Sequence, residues 1–142
     1  MKLFKKKNDN KKFMFIMDGI NVSTKDFVNA KLNGVITLRL IEEKDITVWN
    51  KDDYLYDTSL LRITPQMYKK SLGLKQDDIS DIRILAGTIF ETNIKELICN
   101  HNFNEFNSHK GDFTKKALKK AQEFANNEGV ILDYVIQTVE MV

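Results

Sequence analysis

The chain has 142 residues and a mass of 16.5 kDa, which suits one domain with its own core. Hydrophobic residues make up 42% of it and charged residues 30%, and a single cysteine, Cys99, excludes an internal disulfide framework. The net charge of +2 conceals an asymmetry: residues 1–12 hold six lysines and one acid, which leaves a slightly acidic body behind a strongly basic tail. No apolar run approaches the roughly 18–20 residues that span a bilayer. The N-terminus lacks the apolar stretch of a signal peptide, so a cytoplasmic protein is expected. In that compartment the sequon Asn21-Val22-Ser23 is an accident of composition.

Residues 1–12, with Lys2, Lys5, Lys6, Lys7, Lys11 and Lys12, are too polar to pack and predict a disordered basic arm. A single domain is expected over residues 13–142. Residues 13–17 predict a short strand closed by the turn residues Asp18 and Gly19. Residues 27–41 carry most of the information about the fold. Asn33-Gly34 has the sequence of a tight hairpin turn. A two-residue turn there would pair Leu32 with Val35 and Ala30 with Thr37, and neither face would be cleanly apolar. Read as one strand, the even positions Val28, Ala30, Leu32, Ile36, Leu38 and Leu40 share a side with Gly34. Asn29, Lys31, Thr37 and Arg39 lie on the other. The continuous strand is therefore predicted, with Gly34 at a bend or bulge.

Beyond it, Ile46, Val48 and Trp49 suit a short helix or an extra strand. Thr64-Pro65 predicts the N-cap and first residue of a helix bearing Met67, Tyr68 and Leu72, with Gly73 as its stop. Asp77 or Asp78 is expected to cap a second helix through Ile79, Ile82, Leu85, Ala86 and Ile89. A separate short helix is expected over residues 93–100, with Ile94, Leu97 and Ile98. Asp112 is expected to cap the clearest helix, whose stripe of Phe113, Ala117, Ala121, Phe124 and Ala125 faces the sheet. Phe124 would close the core beneath Ile131 or Tyr134. After Gly129, residues 130–141 are apolar on both faces, as in a buried central strand beside residues 27–41. Strands, then helices, then a closing strand make an α+β domain: a small mixed or antiparallel sheet packed against helices.

Three local patterns resemble the SPFH or band 7 family, which includes stomatins, prohibitins, flotillins and bacterial virion-core-protein-like members. Ser23-Thr24-Lys25-Asp26 ahead of a long strand is similar to that family's T-K-D approach to its central strand. Residues Gly34 to Ile41 look like its G-x-(Y/V)-x-x-R-I strand, with Arg39 at the arginine. Residues 117–139 look like its helix, turn and final strand, and Lys95-Glu96-Leu97 sits where the family has an x-E-L element. The resemblance covers about residues 13–142 and carries no catalytic motif. It implies a non-enzymatic scaffold or protein-association module that oligomerises and works at a membrane surface.

Three groups of residues are candidates for chemistry or binding. Cys99, His101, Glu105 and His109 are all able to ligate zinc or nickel, and the last three stand at i, i+4 and i+8. Their spacing matches no standard structural site, the stretch is rich in asparagine, and no metal or other cofactor is assigned. The arm lysines could hold an anionic membrane surface, or they could serve only as a solubilising tail. The acidic body offers no basic groove with aromatics, which argues against a nucleic-acid partner. Asp52, Asp53, Tyr54 and Tyr56 suggest an exposed acidic and aromatic loop, a candidate protein-partner surface. That loop supports the alternative reading, a small intracellular protein that neutralises a partner, as an immunity protein does. No nucleophile–base pair or small-molecule site stands out, so no enzyme is inferred.

Overall fold

The computed structural model describes residues 12–47 and 61–142. Three strands form one antiparallel sheet: β1 (Lys12–Ser23), β2 (Asn29–Leu40) in the centre, and β3 (Val130–Met141). Between β2 and β3 the chain makes a 3-10 turn at Glu43–Asp45. Four helices follow: α1 (Pro65–Leu72), α2 (Gln76–Cys99), α3 (Phe103–Ser108) and α4 (Lys110–Asn127). Helix α2 lies against β1 and α4 against β3, so both cover the same face of the sheet. The domain is α+β, as the order of elements predicts.

The period-two pattern of β2 is realised from Ala30 to Leu38, while Val28 and the exposed Phe27 precede the strand and Leu40 is half-buried. The strand runs straight through Asn33-Gly34 and pairs with β3 along its length. Ala30, Leu32, Ile36 and Leu38 are buried under the helices. Cross-strand rows build the core face: Phe13–Leu38–Leu132, Phe15–Ile36–Tyr134, Met17–Gly34–Ile136 and Ile20–Leu32–Val139. Gly34 does mark an irregularity. Asn33 faces Thr138 while Gly34 faces Ile136, so β3 bulges by one residue there.

Several expectations at the strand ends need correction. Asp18-Gly19 does not close β1. The register passes from Met17 opposite Gly34 to Ile20 opposite Leu32, which makes a second bulge with Gly19 at φ +78°. Glycine takes that left-handed conformation without a Cβ penalty, and the strand continues so that Ile20 and Val22 return to the core. Lys12 belongs to β1 rather than to the arm. Among the described residues β3 pairs with β2 alone and lies at the side of the sheet, where a central strand had been the expectation.

Helix α1 starts as its sequence predicts. The Thr64 hydroxyl accepts from the Met67 amide at 3.3 Å, Pro65 opens the helix, and Gly73 ends it. Leu72, however, points to solvent. Helix α2 is a single 24-residue helix, where two had been expected. No glycine or proline interrupts residues 90–98, and Ile82, Ala86, Phe90, Ile94 and Ile98 keep one inner face at i, i+4 spacing throughout. Its N-cap is Lys75, and Asp78 acts from the third helical position by accepting the Lys75 amide at 2.8 Å. Leu85 is exposed. Likewise α4 begins before Asp112, with His109 as its N-cap.

The stripe of α4 divides among three neighbours instead of facing the sheet as a whole. Phe113 stacks edge-on against Phe106, with ring centroids 5.5 Å apart. Leu118 and Gln122 meet β3, and the Gln122 amide donates to the Leu132 carbonyl at 3.3 Å. Phe124 is half-buried and turned toward Leu74, Ile82 and Leu85 in a cleft beside α1, not beneath Ile131 or Tyr134. The residues under the sheet are smaller: Ala121 and Ala125 are fully buried.

Candidate functional site

Lys2, Lys5, Lys6, Lys7 and Lys11 lie outside the described residues, as do Val48, Trp49, Asp52, Asp53, Tyr54 and Tyr56. Lys12 stands on β1 opposite Arg39. The potential metal ligands are not on one continuous helix. Helix α2 stops at Cys99, His101 lies in the corner before α3, Glu105 is on α3, and His109 separates α3 from α4. His101, Glu105 and His109 line one shallow pocket of about 250 Å³ with Asp112 and Lys116, but Cys99 is not part of it. The candidate ligands have local contacts. His101 Nδ1 bonds the Glu105 carboxylate at 2.8 Å, His109 Nδ1 lies 4.0 Å from Asp112, and the Cys99 thiol reaches the Glu96 carbonyl at 3.0 Å. Among the described residues no three such side chains converge closely enough to hold a metal. The His101 ring also packs edge-on against Phe113, with centroids 4.9 Å apart, so its role is that of a corner post.

The surface that stands out is the face of the sheet turned away from the helices. Alternation along β1, β2 and β3 puts Ile16, Val35 and Val135 in one row across all three strands. Ile16 is 75% exposed, its neighbour Met14 68% and Val135 55%, while Val35 and Ile131 are half-buried. The next row is Met14–Thr37–Asp133, so the apolar surface is one row across the three strands extended by Met14 on β1, and an exposed apolar row of this kind suits an interaction surface. Charged and polar residues rim the patch: Lys12 and Arg39 at one end, and Lys31, Asn33 and Glu140 toward the other. Asn33 holds the two bulges in register. Its side-chain oxygen accepts the Gly19 amide at 3.0 Å, and its nitrogen donates to Thr138 at 3.1 Å and to Glu140.

The two edges of the sheet differ. On β3 the Leu132 carbonyl is taken by Gln122, and the Tyr134 amide donates to the Asp133 carboxylate at 2.8 Å. These side-chain bonds blunt that edge. On β1, among the described residues, no side chain bonds the backbone of residues 12–17. Below this edge the Arg83 guanidinium sits 4.6 Å from the centre of the Phe15 ring. The sequence reading missed Arg83, and missed the open face. The signal for the face was present in residues 13–17, which are apolar at every position and therefore need cover on both sides.

The chain matches no protein-family model and no curated protein sequence.

Two of the segments that carry the SPFH resemblance make specific structural contacts. The Thr24 hydroxyl donates to Asp26 at 2.5 Å and accepts the Val28 amide at 3.0 Å, which shapes the β1–β2 connection. Asp26 also accepts the Phe103 amide at 3.0 Å and so ties that connection to α3. These bonds hold its carboxyl below the usual range, the Thr24 hydroxyl foremost. Arg39 forms a two-pronged pair with Asp45, at 2.7 and 2.9 Å, and Asp45 accepts the Glu42 amide at 2.8 Å. The Arg39 bonds push the Asp45 carboxyl below the ordinary aspartate value of 3.8. A depressed value stabilises the fold fully above the unfolded pKa and ceases to do so as pH falls through the folded one. We therefore expect Asp45→Asn to cost about 2 kcal/mol at pH 7. The variant should also lose part of the wild type's instability below pH 3.8. Urea unfolding of both proteins at pH 7 and across the acid range measures this, and parallel pH profiles would refute it.

Proposed function

We propose that this chain is a non-enzymatic protein-association module of the SPFH kind, and that it uses its sheet to bind another protein. One observation carries the reading: the exposed apolar row Ile16–Val35–Val135 with Met14 beside it, a surface built by three strands at once. Burying a side chain of this size contributes about 1.5–3 kcal/mol, so the row supplies a substantial part of the free energy that offsets an association cost of about 4–15 kcal/mol. The family likeness rests on the sequence patterns at residues 23–26, 34–41 and 117–139. Within the proposal the module is cytoplasmic, and the N-terminal lysines bring it to an anionic membrane surface. No helix among the described residues is long and apolar enough to cross a membrane.

Site-specific photo-crosslinking in cells tests the reading. A benzophenone amino acid at Val135 should give one discrete protein adduct, and Ile16→Glu on the same face should abolish it. Ile16 is exposed, so that substitution should change stability by no more than about 0.5 kcal/mol. Absence of any adduct from Val135 and from Ile16, in a protein that melts normally, would refute the association reading.

A further inference from the structure

We propose that Phe27, carried on the three-residue turn between β1 and β2, is an aromatic anchor that inserts into an apolar pocket of another protein. The inference rests on the association reading and adds to it a residue that fixes the partner. Phe27 is 90% exposed, more than any other large hydrophobic side chain among the described residues. Its φ is +63°, and no other non-glycine residue among those described takes a positive value. A bulky side chain in that left-handed region is strained, because its Cβ crowds the following carbonyl oxygen.

The turn imposes that conformation. The Phe27 amide donates to the Thr24 carbonyl and the Thr24 amide to the Val28 carbonyl, each at 3.0 Å, which closes a hairpin loop of residues 25–27. Such a loop is a type I turn followed by one left-handed residue, a place that glycine fills without a Cβ penalty. Neighbouring groups then lock it. The buried Thr24 hydroxyl accepts the Val28 amide at 3.0 Å and donates to Asp26. The Lys25 amide donates to the His101 carbonyl at 2.8 Å, and the Phe103 amide to the Asp26 carboxylate at 3.0 Å. None of these bonds uses the Phe27 ring. The backbone is held fast while the ring stands in water, and glycine or asparagine would satisfy the same turn with less strain. What the ring contributes therefore lies outside this chain.

Shape and charge define the occupant. A ring on a rigid mount loses little freedom when it is buried, which is the property of an interface anchor. It is a projection, so its complement is a concave apolar site on a partner. Met141, opposite Ala30, adds a second exposed apolar side chain at the same end of the sheet. A bilayer is the poorer match. Lys25 is followed by Asp26, and Lys31 faces Glu140 on the next strand. These cations are each matched by an acid and give no net attraction to an anionic leaflet.

The test sets partner capture against stability in the full-length chain. A benzophenone amino acid in place of Lys25, exposed two residues from the ring, should crosslink in cells to a protein other than this chain. Phe27→Gly should lower the yield of that adduct at least tenfold and at the same time raise the melting temperature by about 3 °C. Phe27→Asn, which also tolerates the left-handed region, should repeat both effects. Phe27→Leu keeps an apolar projection and should keep most of the adduct. A partner lost from a more stable fold is not lost through misfolding. An adduct indifferent to Phe27→Gly, a lower melting temperature for that variant, or an adduct of about twice 16.5 kDa that contains only this chain would each overturn the proposal. So would sedimentation with phosphatidylserine vesicles that Phe27→Gly abolishes, for the ring would then enter a bilayer. Failure here is separable from failure of the association reading. A Phe27-dependent adduct from Lys25 with none from Val135 removes only the open-face partner. An adduct from Val135 with none from Lys25 removes only the anchor.

Discussion

Gly34→Ala should destabilise the protein by about 3 kcal/mol, at the upper end of what overpacking ordinarily costs. A Cβ at this position would lie 2.4 Å from the Val135 carbonyl oxygen and 2.5 Å from the Tyr134 hydroxyl. Neither neighbour can yield cheaply. The Val135 carbonyl is backbone in the adjacent strand, and the Tyr134 ring is pinned by Phe90, whose centroid is 4.3 Å away. The glycine is thus required by close approach, not by its backbone angles, for its φ is not among the positive ones. Gly111→Ala is the internal control. It lies in the first turn of α4 with no atom within 4 Å of the added carbon, and alanine is the better helix former there. It should be neutral or stabilising by up to about 1 kcal/mol. Urea unfolding of the two variants beside wild type decides the matter. Equal stabilities would mean that β2 and β3 can part at the bulge without cost.

The same residue shows how far the sequence could be read. Asn33-Gly34 carries a strong local hairpin signal, and that signal is overruled by a longer-range one, the alternation of apolar residues from Ala30 to Leu40. Burial along a twelve-residue strand outweighs a turn preference of two residues. The helices were legible in type but not in extent. A break was expected between Ile89 and Asn93, yet Phe90 and Ile94 fall on one inner face, and packing keeps α2 whole. Caps were misplaced by a turn or less because Asp78 and Asp112 act from inside their helices. The position of β3 was not legible at all. A strand apolar on both faces can be central and buried, or it can be an edge with an open apolar surface, and only the pairing distinguishes them.

Phe90→Ala should cost about 3–5 kcal/mol, the largest single effect expected in the chain. Phe90 is fully buried in the middle of α2, inside the cluster that joins both long helices to all three strands. Its ring lies tilted at 41° against Tyr134, which itself shares a row with Phe15 and Ile36. Removing it opens a cavity bounded by elements that cannot close over it. Gly34 already holds β2 and β3 at their nearest approach, and Gly87 brings α2 to within contact of Met17 on β1. Against a total stability of roughly 5–15 kcal/mol for a domain of this size, such a loss would unfold a large share of the molecules at 37 °C. Phe124→Ala is the comparison that gives the number meaning. Phe124 sits half-buried in the cleft beside α1, where Leu74 and Leu85 can settle inward and water can enter, and its removal should cost about half as much. Guanidinium unfolding curves for the two variants separate the cases. If Phe124→Ala proved the more damaging, the centre of the core would lie between α1 and α4 rather than beneath the sheet.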